Sequence, residues 1–266
     1  MTSIAGPWAD DLAVALDLAD QADHVTMAAF GSADLVVETK PDLTPVSEAD
    51  KETERLLRSQ LAATRPGDAI MGEEYGSYDA GAARTWILDP IDGTKNYVRT
   101  VPVWATLIAL RAEQEVVLGV VSAPALGRRW WAAKGSGAWT ISPGSAEPRR
   151  IRVSGVSHLQ DASFSYSDAV GWDKHGSGTG LDSLLTGTWR QRAYGDFWSH
   201  MLVAEGAVDV AGEPALETYD MAALIPIICE AGGMVSAYDG SHALVGGNLL
   251  SSNGLLHPAV LSLLNA

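Results

Sequence analysis

The chain has 266 residues, is 47% hydrophobic, and carries 33 acidic against 18 basic side chains, a formal charge of −15. That apolar content argues against disorder and suffices for one sizeable domain or two joined lobes, while the negative charge opposes nonspecific nucleic-acid binding. No run approaches the roughly 18 apolar residues of a membrane span; with Asp10 and Asp11 and no basic or long apolar stretch near the start, the chain does not read as carrying a signal peptide, so the expected setting is cytoplasmic.

In chain order, Leu12, Leu16, Ala19 and Ala22, joined by Val14, Leu18 and Val25, predict an amphipathic helix over 11–29. A short strand at Leu35–Glu38 leads into a Thr39–Pro45 loop, and Ser47 with Asp50 opens a second helix running through Leu61. The period then shortens. Strands are expected at 69–73, 85–90, 103–111, 115–122, 128–133 and 137–141, separated by turn residues. The 142–149 loop is the expected lobe boundary, dividing 1–148 from 149–266. Beyond it, strands are read at 162–166 and 188–191, and helices at 196–205 and 220–231. Short strands at 243–245 and 249–251 and a final helix at 257–264 complete the chain. Cys229, the single cysteine, excludes an intrachain disulfide or a cysteine-based zinc site, and its apolar run marks it for the core. So many consecutive strands argue against a simple βα repeat and for helices layered on mixed sheets.

The chemistry concentrates in 86–94. There an apolar run ends in Asp89-Pro90-Ile91-Asp92-Gly93-Thr94. Pro90 restricts the backbone between two carboxylates, so Asp89, the Ile91 carbonyl and Asp92 can converge on a cation. Backbone N–H groups around Gly93 and Thr94 can cradle phosphate oxygens. The bland reading is an Asp-rich turn capping the next helix. Glu73, after Ile70-Met71-Gly72, and Asp220, before an apolar run, are further candidates, although either acid also fits a solvated turn or a helix cap. Oxygen ligands beside a phosphate favour magnesium over zinc, and no His-Glu-x-x-His spacing is present.

Gly72-Glu73-Glu74, Asp89–Thr94, and Tyr219-Asp220-Met221-Ala222-Ala223 with Glu230-Ala231-Gly232-Gly233 together resemble the inositol-monophosphatase-like family over nearly the whole chain. The resemblance implies an α+β fold in an α-β-α-β-α layering, a homodimer, and magnesium-dependent hydrolysis of a phosphate monoester by water. It assigns Glu73, Asp89, Asp92, Asp220 and the Ile91 carbonyl to metal, and Gly93 and Thr94 to phosphate. Asp50, Glu73 and Thr94 become the catalytic group, with Asp50 and Thr94 orienting the water. Where the family has aspartate this chain has Thr44, and where it has tryptophan this chain has Tyr219.

The strings Thr39–Val46, Asn96–Arg99 with Val101–Trp104, Ala123–Leu126 with Arg128–Trp131, and Arg192–Asp196 resemble the family's histidinol-phosphatase branch of actinobacteria. Its substrate in histidine biosynthesis carries an amine and an imidazole, which acids can recognise. Asp196 and Glu213 are the candidates, against readings as a helix N-cap and a surface acid. Trp104 is a candidate to flank the imidazole, with strand-core packing as the alternative, and Arg192 is a weaker substrate contact that could instead pair within or across subunits. An inositol-1-phosphatase or broad sugar-phosphate phosphatase remains open. A nucleotide phosphatase lacks an adenine-binding insertion here, and a non-catalytic regulator is disfavoured by the complete set of acids.

Overall fold

A computed structural model describes residues 6–40, 44–78 and 82–265. Pro41, Asp42 and Leu43, inside the Thr39–Val46 string, lie outside the described residues. The first half contains α1 (Ala9–Ala29), β1 (Val37–Thr39), β2 (Pro45–Ser47), α2 (Glu48–Thr64), β3 (Ala69–Gly72), β4 (Gly76–Tyr78), β5 (Arg84–Asp92), α3 (Thr94–Tyr97), β6 (Ala105–Ala112), β7 (Glu115–Ala123), β8 (Arg128–Ala133), β9 (Ala138–Ile141) and β10 (Arg149–Arg150). The second half adds β11 (Ser163–Tyr166), α4 (Ala169–Lys174), α5 (Gly178–Gly187), β12 (Arg190–Arg192), α6 (Asp196–Ala204) and β13 (Val210–Glu213). It ends with α7 (Thr218–Ala222), α8 (Leu224–Glu230), β14 (Met234–Ser236), α9 (Ala243–Gly246), β15 (Leu249–Ser252) and α10 (His257–Leu264).

Two sheets and three helical layers alternate. The larger sheet runs β10-β9-β8-β7-β6-β5-β3-β4, the smaller β12-β11-β13-β15-β14, and β1-β2 form a separate hairpin. Period-two alternation divides the large sheet's side chains. Trp86, Leu88, Ile108, Leu110, Leu118 and Val120 meet Leu12, Leu18, Leu57 and Leu61 of α1 and α2. Ile87, Leu107 and Val121 meet Phe197, Met201, Ile227 and Ile228 of α6 and α8. The far face of the small sheet packs Phe164, Val210 and Leu250 against Trp172, Leu181, Leu184 and Val260. Each fully buried leucine or isoleucine contributes about 1.5–3 kcal/mol through area removed from water. The α-β-α-β-α layering expected from the resemblance is therefore the fold.

Four local expectations need correction. The 220–231 helix is two helices, because Pro226 has no N–H to bond back to Ala222 and the chain turns at Ala223. Residues 243–246 form a short helix, not a strand; an apolar run this short carries no decisive period, and Val245 is exposed on it. The first strand starts two residues later than expected, at Val37. Cys229 is exposed on α8 rather than in the core. Among the described residues no helix is long and apolar enough to cross a membrane.

Candidate active site

The last residues of β5 are shaped by a bulge. Its register with β6 is regular to Asp89 opposite Leu107, then resumes at Asp92 opposite Ala105 with one extra residue on the β5 side. In an unbroken strand, residues three apart face opposite ways; the bulge re-aims them, and Thr106 Oγ1 fixes it by donating to the Pro90 carbonyl at 2.8 Å. Asp89 and Asp92 thereby converge with Asp220, each offering an oxygen, all within 4.8 Å of one another. Gly93 follows at φ +83°, and a Cβ there would meet the Val103 carbonyl at 3.1 Å. That left-handed turn starts α3 and presents Thr94.

Asp220 arrives from the other side of the cleft, at the third position of α7. Its Oδ2 accepts from the Glu217 backbone N–H at 2.7 Å in a capping box, so it both caps its helix and joins the cluster. Glu73 is brought in by parallel pairing of β3 and β5, Gly72 beside Leu88, which sets it next to Asp89. It lies outside the three-acid cluster and pairs with Lys40 Nζ at 2.7 Å, which also bonds Glu74 at 2.7 Å. Burial disfavours the ammonium, yet these two acids hold Lys40 above its usual range. The sequence around Lys40 carries no local sign of these partners, which lie more than thirty residues away.

Asp50 opens α2. Its Oδ2 accepts from Ser47 N–H at 2.8 Å and Ser47 Oγ at 2.5 Å, while Thr94 Oγ1 stands 3.5 Å from Oδ1 and donates to the Ile91 carbonyl at 3.0 Å. Burial, only partly offset by Ser47, pushes Asp50 up to about 6. Burial and then the charges of Glu73, Asp92 and Asp220 push Asp89 well above the carboxylate range. Burial followed by Asp196 and Asp220 does the same to Asp92. For Asp220, burial outweighs the bond from Glu217 and raises the carboxyl to about 7. The Asp89 Oδ1 atom is buried and has no hydrogen-bond partner. An all-oxygen donor set, mutually repelling, with a buried lone pair left open, fits a hard divalent cation.

Asp196 and Glu213 extend this acidic wall. Gly195, not Asp196, is the N-cap of α6, so the capping reading of Asp196 does not hold. Its Oδ2 accepts from Asn96 Nδ2 at 3.3 Å, and the adjacent Phe197 N–H donates to Asp92 Oδ2 at 2.8 Å, tying α6 to the bulge. Asp196 holds φ +49°, a strained backbone for a residue with a side chain. Glu213 is no surface acid: it is 4% exposed at the end of β13, with Oε1 unpartnered. Burial, against a bond from Ser167 and reinforced by Asp196, raises it well above its usual range. Trp104 is corrected to core: its ring is 0% exposed, 4.9 Å from Tyr97 and 5.3 Å from Phe30, with no face open to a ligand. Arg192 is exposed at the end of edge strand β12, donating to the Gln191 carbonyl at 2.7 Å, and is not drawn into the acid cluster.

Residues 8–266 match the model of the inositol monophosphatase family. The chain belongs to that family. Among relatives, it is 52% identical to a histidinol-phosphatase of Mycobacterium tuberculosis over 97% of this chain and 98% of that one. It is 53% identical to a histidinol-phosphatase of Streptomyces coelicolor, with the same coverages. The Thermotoga maritima IMPase structure superposes with a TM-score of 0.84 at 34% identity, over 96% of this chain and 97% of that one. Of the family's three separated acidic motifs, two meet in one cluster of carboxylate oxygens, and Glu73 of the third stands beside it.

Proposed function

We propose that this chain is a magnesium-dependent phosphate monoester hydrolase that converts L-histidinol phosphate to L-histidinol and phosphate. The observation that carries the hydrolase reading is the convergence of Asp89, Asp92 and Asp220 within 4.8 Å around an unpartnered Asp89 oxygen. The substrate choice draws on the two near-full-length histidinol-phosphatase relatives.

Glu73, Asp89, Asp92, Asp220 and the Ile91 carbonyl would hold the metal. When bound, magnesium neutralises charge on the transferring phosphoryl group and makes a water nucleophilic near neutral pH. Asp50 and Thr94 act on that water: the threonine hydroxyl orients it, and Asp50, raised to about 6, is basic enough to draw its proton. The N–H groups of Gly93 and Thr94, at the positive turn, hold phosphate oxygens. Asp196 and Glu213 line the alcohol end, where an arriving amine or imidazolium would offset the burial that disfavours their charged forms and so be preferred over an uncharged polyol. Glu213's open Oε1 is the better-placed acceptor. Arg192 remains a candidate contact at the rim. A cytoplasmic homodimer is the proposed setting; a single cysteine suits a reducing compartment.

Free phosphate release from a panel of monoesters with magnesium tests this. L-Histidinol phosphate is expected to give the highest kcat/KM. A preference for inositol 1-phosphate would overturn the substrate and leave the hydrolase; no magnesium-dependent release from any monoester would overturn both.

A further inference from the structure

Glu54 is fully buried, on the face of α2 one turn beyond Asp50, in a region where the mechanism above gives it no part. A buried carboxylate is expensive unless its oxygens are well bonded. Here the bonds go to an informative place. Oε2 accepts from the Glu74 backbone N–H at 2.6 Å, and Oε1 from the Tyr75 N–H at 3.2 Å and Arg58 Nε at 2.6 Å. The two backbone donors belong to the β3–β4 turn, the segment that carries Glu73. The approach is close enough to dictate Gly72: a Cβ there would lie 2.1 Å from Glu54 Oε1 and 2.4 Å from its Cδ. Arg58 adds a bond to the Gly76 carbonyl at the turn's far end, and Arg55 Nη2 donates to Tyr75 Oη at 3.1 Å.

We infer that Glu54 is a positioning residue for the metal site, acting through Glu73. Without it the Glu74 and Tyr75 N–H groups lose their acceptor, and the backbone beside Glu73 is held to β5 only through the Glu73 N–H to the Leu88 carbonyl at 3.3 Å, the remaining ties being the β3–β4 pairing and the side-chain bonds of Lys40, Arg55 and Arg58. With it, a single rigid helix sets the positions of both Asp50 and the Glu73 turn relative to Asp89. An arginine ion pair alone would not explain the two backbone bonds or the glycine. Groups that orient a metal's ligands typically alter its affinity 10–100-fold when removed.

This rests on the metal-site reading above, so the test measures binding directly. Magnesium titration by calorimetry is compared for wild type, Glu54→Gln, Gly72→Ala and Arg58→Lys, with melting temperature recorded for each and phosphate release alongside. Glu54→Gln keeps one acceptor oxygen; Gly72→Ala drives the carboxylate away without changing it. Both are expected to weaken magnesium about tenfold or more, with KM for the ester at saturating magnesium nearly unchanged. Arg58→Lys, which leaves both backbone bonds in place, is expected to keep wild-type affinity even if it lowers the melting temperature. Wild-type magnesium affinity in folded Glu54→Gln and Gly72→Ala overturns the inference; a wild type that binds no magnesium overturns the underlying site instead. If the variants do not fold, hydrogen exchange on the wild type decides: the Glu74 and Tyr75 amides are expected to be protected, and exchange at loop-like rates contradicts the clamp.

Discussion

Replacing Asp92 by Asn separates the metal-site reading from a merely structural one, because stability and activity should move in opposite directions. Asp92 lies within 4.8 Å of acidic oxygens on both Asp89 and Asp220. Two full charges at that distance repel by about 3.5 kcal/mol at an effective dielectric near 20. The cluster escapes part of this by holding protons, as the rise of Asp220 to about 7 shows, so the relief from one neutral amide at pH 8 should be about 1–2 kcal/mol, where each pKa unit is worth about 1.4 kcal/mol. The asparagine oxygen can still accept from the Phe197 N–H, preserving the tie to α6. In chelator, the variant should therefore melt a few degrees above wild type. With magnesium, loss of a ligand should cost about 4 kcal/mol of transition-state stabilisation, near a thousandfold in kcat/KM. Scanning fluorimetry with and without metal, beside a phosphate-release assay, reads both. Turnover within tenfold of wild type, or a metal-free variant clearly less stable than wild type, would refute the reasoning.

Asp196→Ala should lower kcat/KM for L-histidinol phosphate at least tenfold while changing inositol 1-phosphate little; competition between the two esters measures it, and an unchanged ratio removes Asp196 from recognition. Trp104→Ala should cost about 3–5 kcal/mol by opening a cavity among Phe30, Tyr97 and Ile91, whereas Trp104→Phe should retain substrate preference in the same competition assay; altered preference in the phenylalanine variant would restore a ligand contact. Acids whose folded pKa exceeds the unfolded value bind more protons when folded, so their stabilisation is greatest at low pH and is lost as pH rises through the folded pKa. Burial lifts Glu74 and Asp220 to about 7, while buried His200, pushed to about 3, has finished its opposite response near its unfolded value of 6.5. Metal-free protein should thus lose melting temperature from about pH 6.5 to 8, and excess magnesium should flatten that slope; a melting temperature that climbs across this window in chelator contradicts it.

The strands of the large sheet are legible because each face buries a different helical layer, so β5, β6 and β7 read as near-continuous apolar runs bounded by turn residues. Residues 128–133 fall between Gly127 and the Lys134-Gly135 turn, and the strand has the expected bounds. Helices α4 and α5 escaped notice: between 169 and 187 glycines and hydroxyl residues dilute the apolar face, and it is packing on the small sheet that makes Trp172, Leu181 and Leu184 a core. At the site, the Asp-Pro-Ile-Asp-Gly-Thr pattern exposed two acids, but the bulge that aims them together depends on β6 and is invisible in β5 alone. Of the two readings of Trp104, the core one holds: the residue just before β6 packs against Phe30 and Tyr97, neighbours that the local pattern does not name. Lys40 and Glu54 were not legible as site components, since their partners are distant in sequence and fixed only by the turn at Glu73.

The Asp89–Asp92–Asp220 convergence also has a bearing on how the protein is made. Two of its members are translated in the first half of the chain, the third only after β13 has emerged. A nascent chain halted before α7 can pair β5 with β6 and form the bulge, but it exposes an incomplete acidic patch with no third carboxylate to close it. An early chain thus presents only part of the centre, and its closure by Asp220 waits on contacts between remote segments, which are the slow ones in folding. On the proposed reading, magnesium would act as a completion signal: among partly folded or truncated chains, it would favour those in which both sheets and the helices between them have come together.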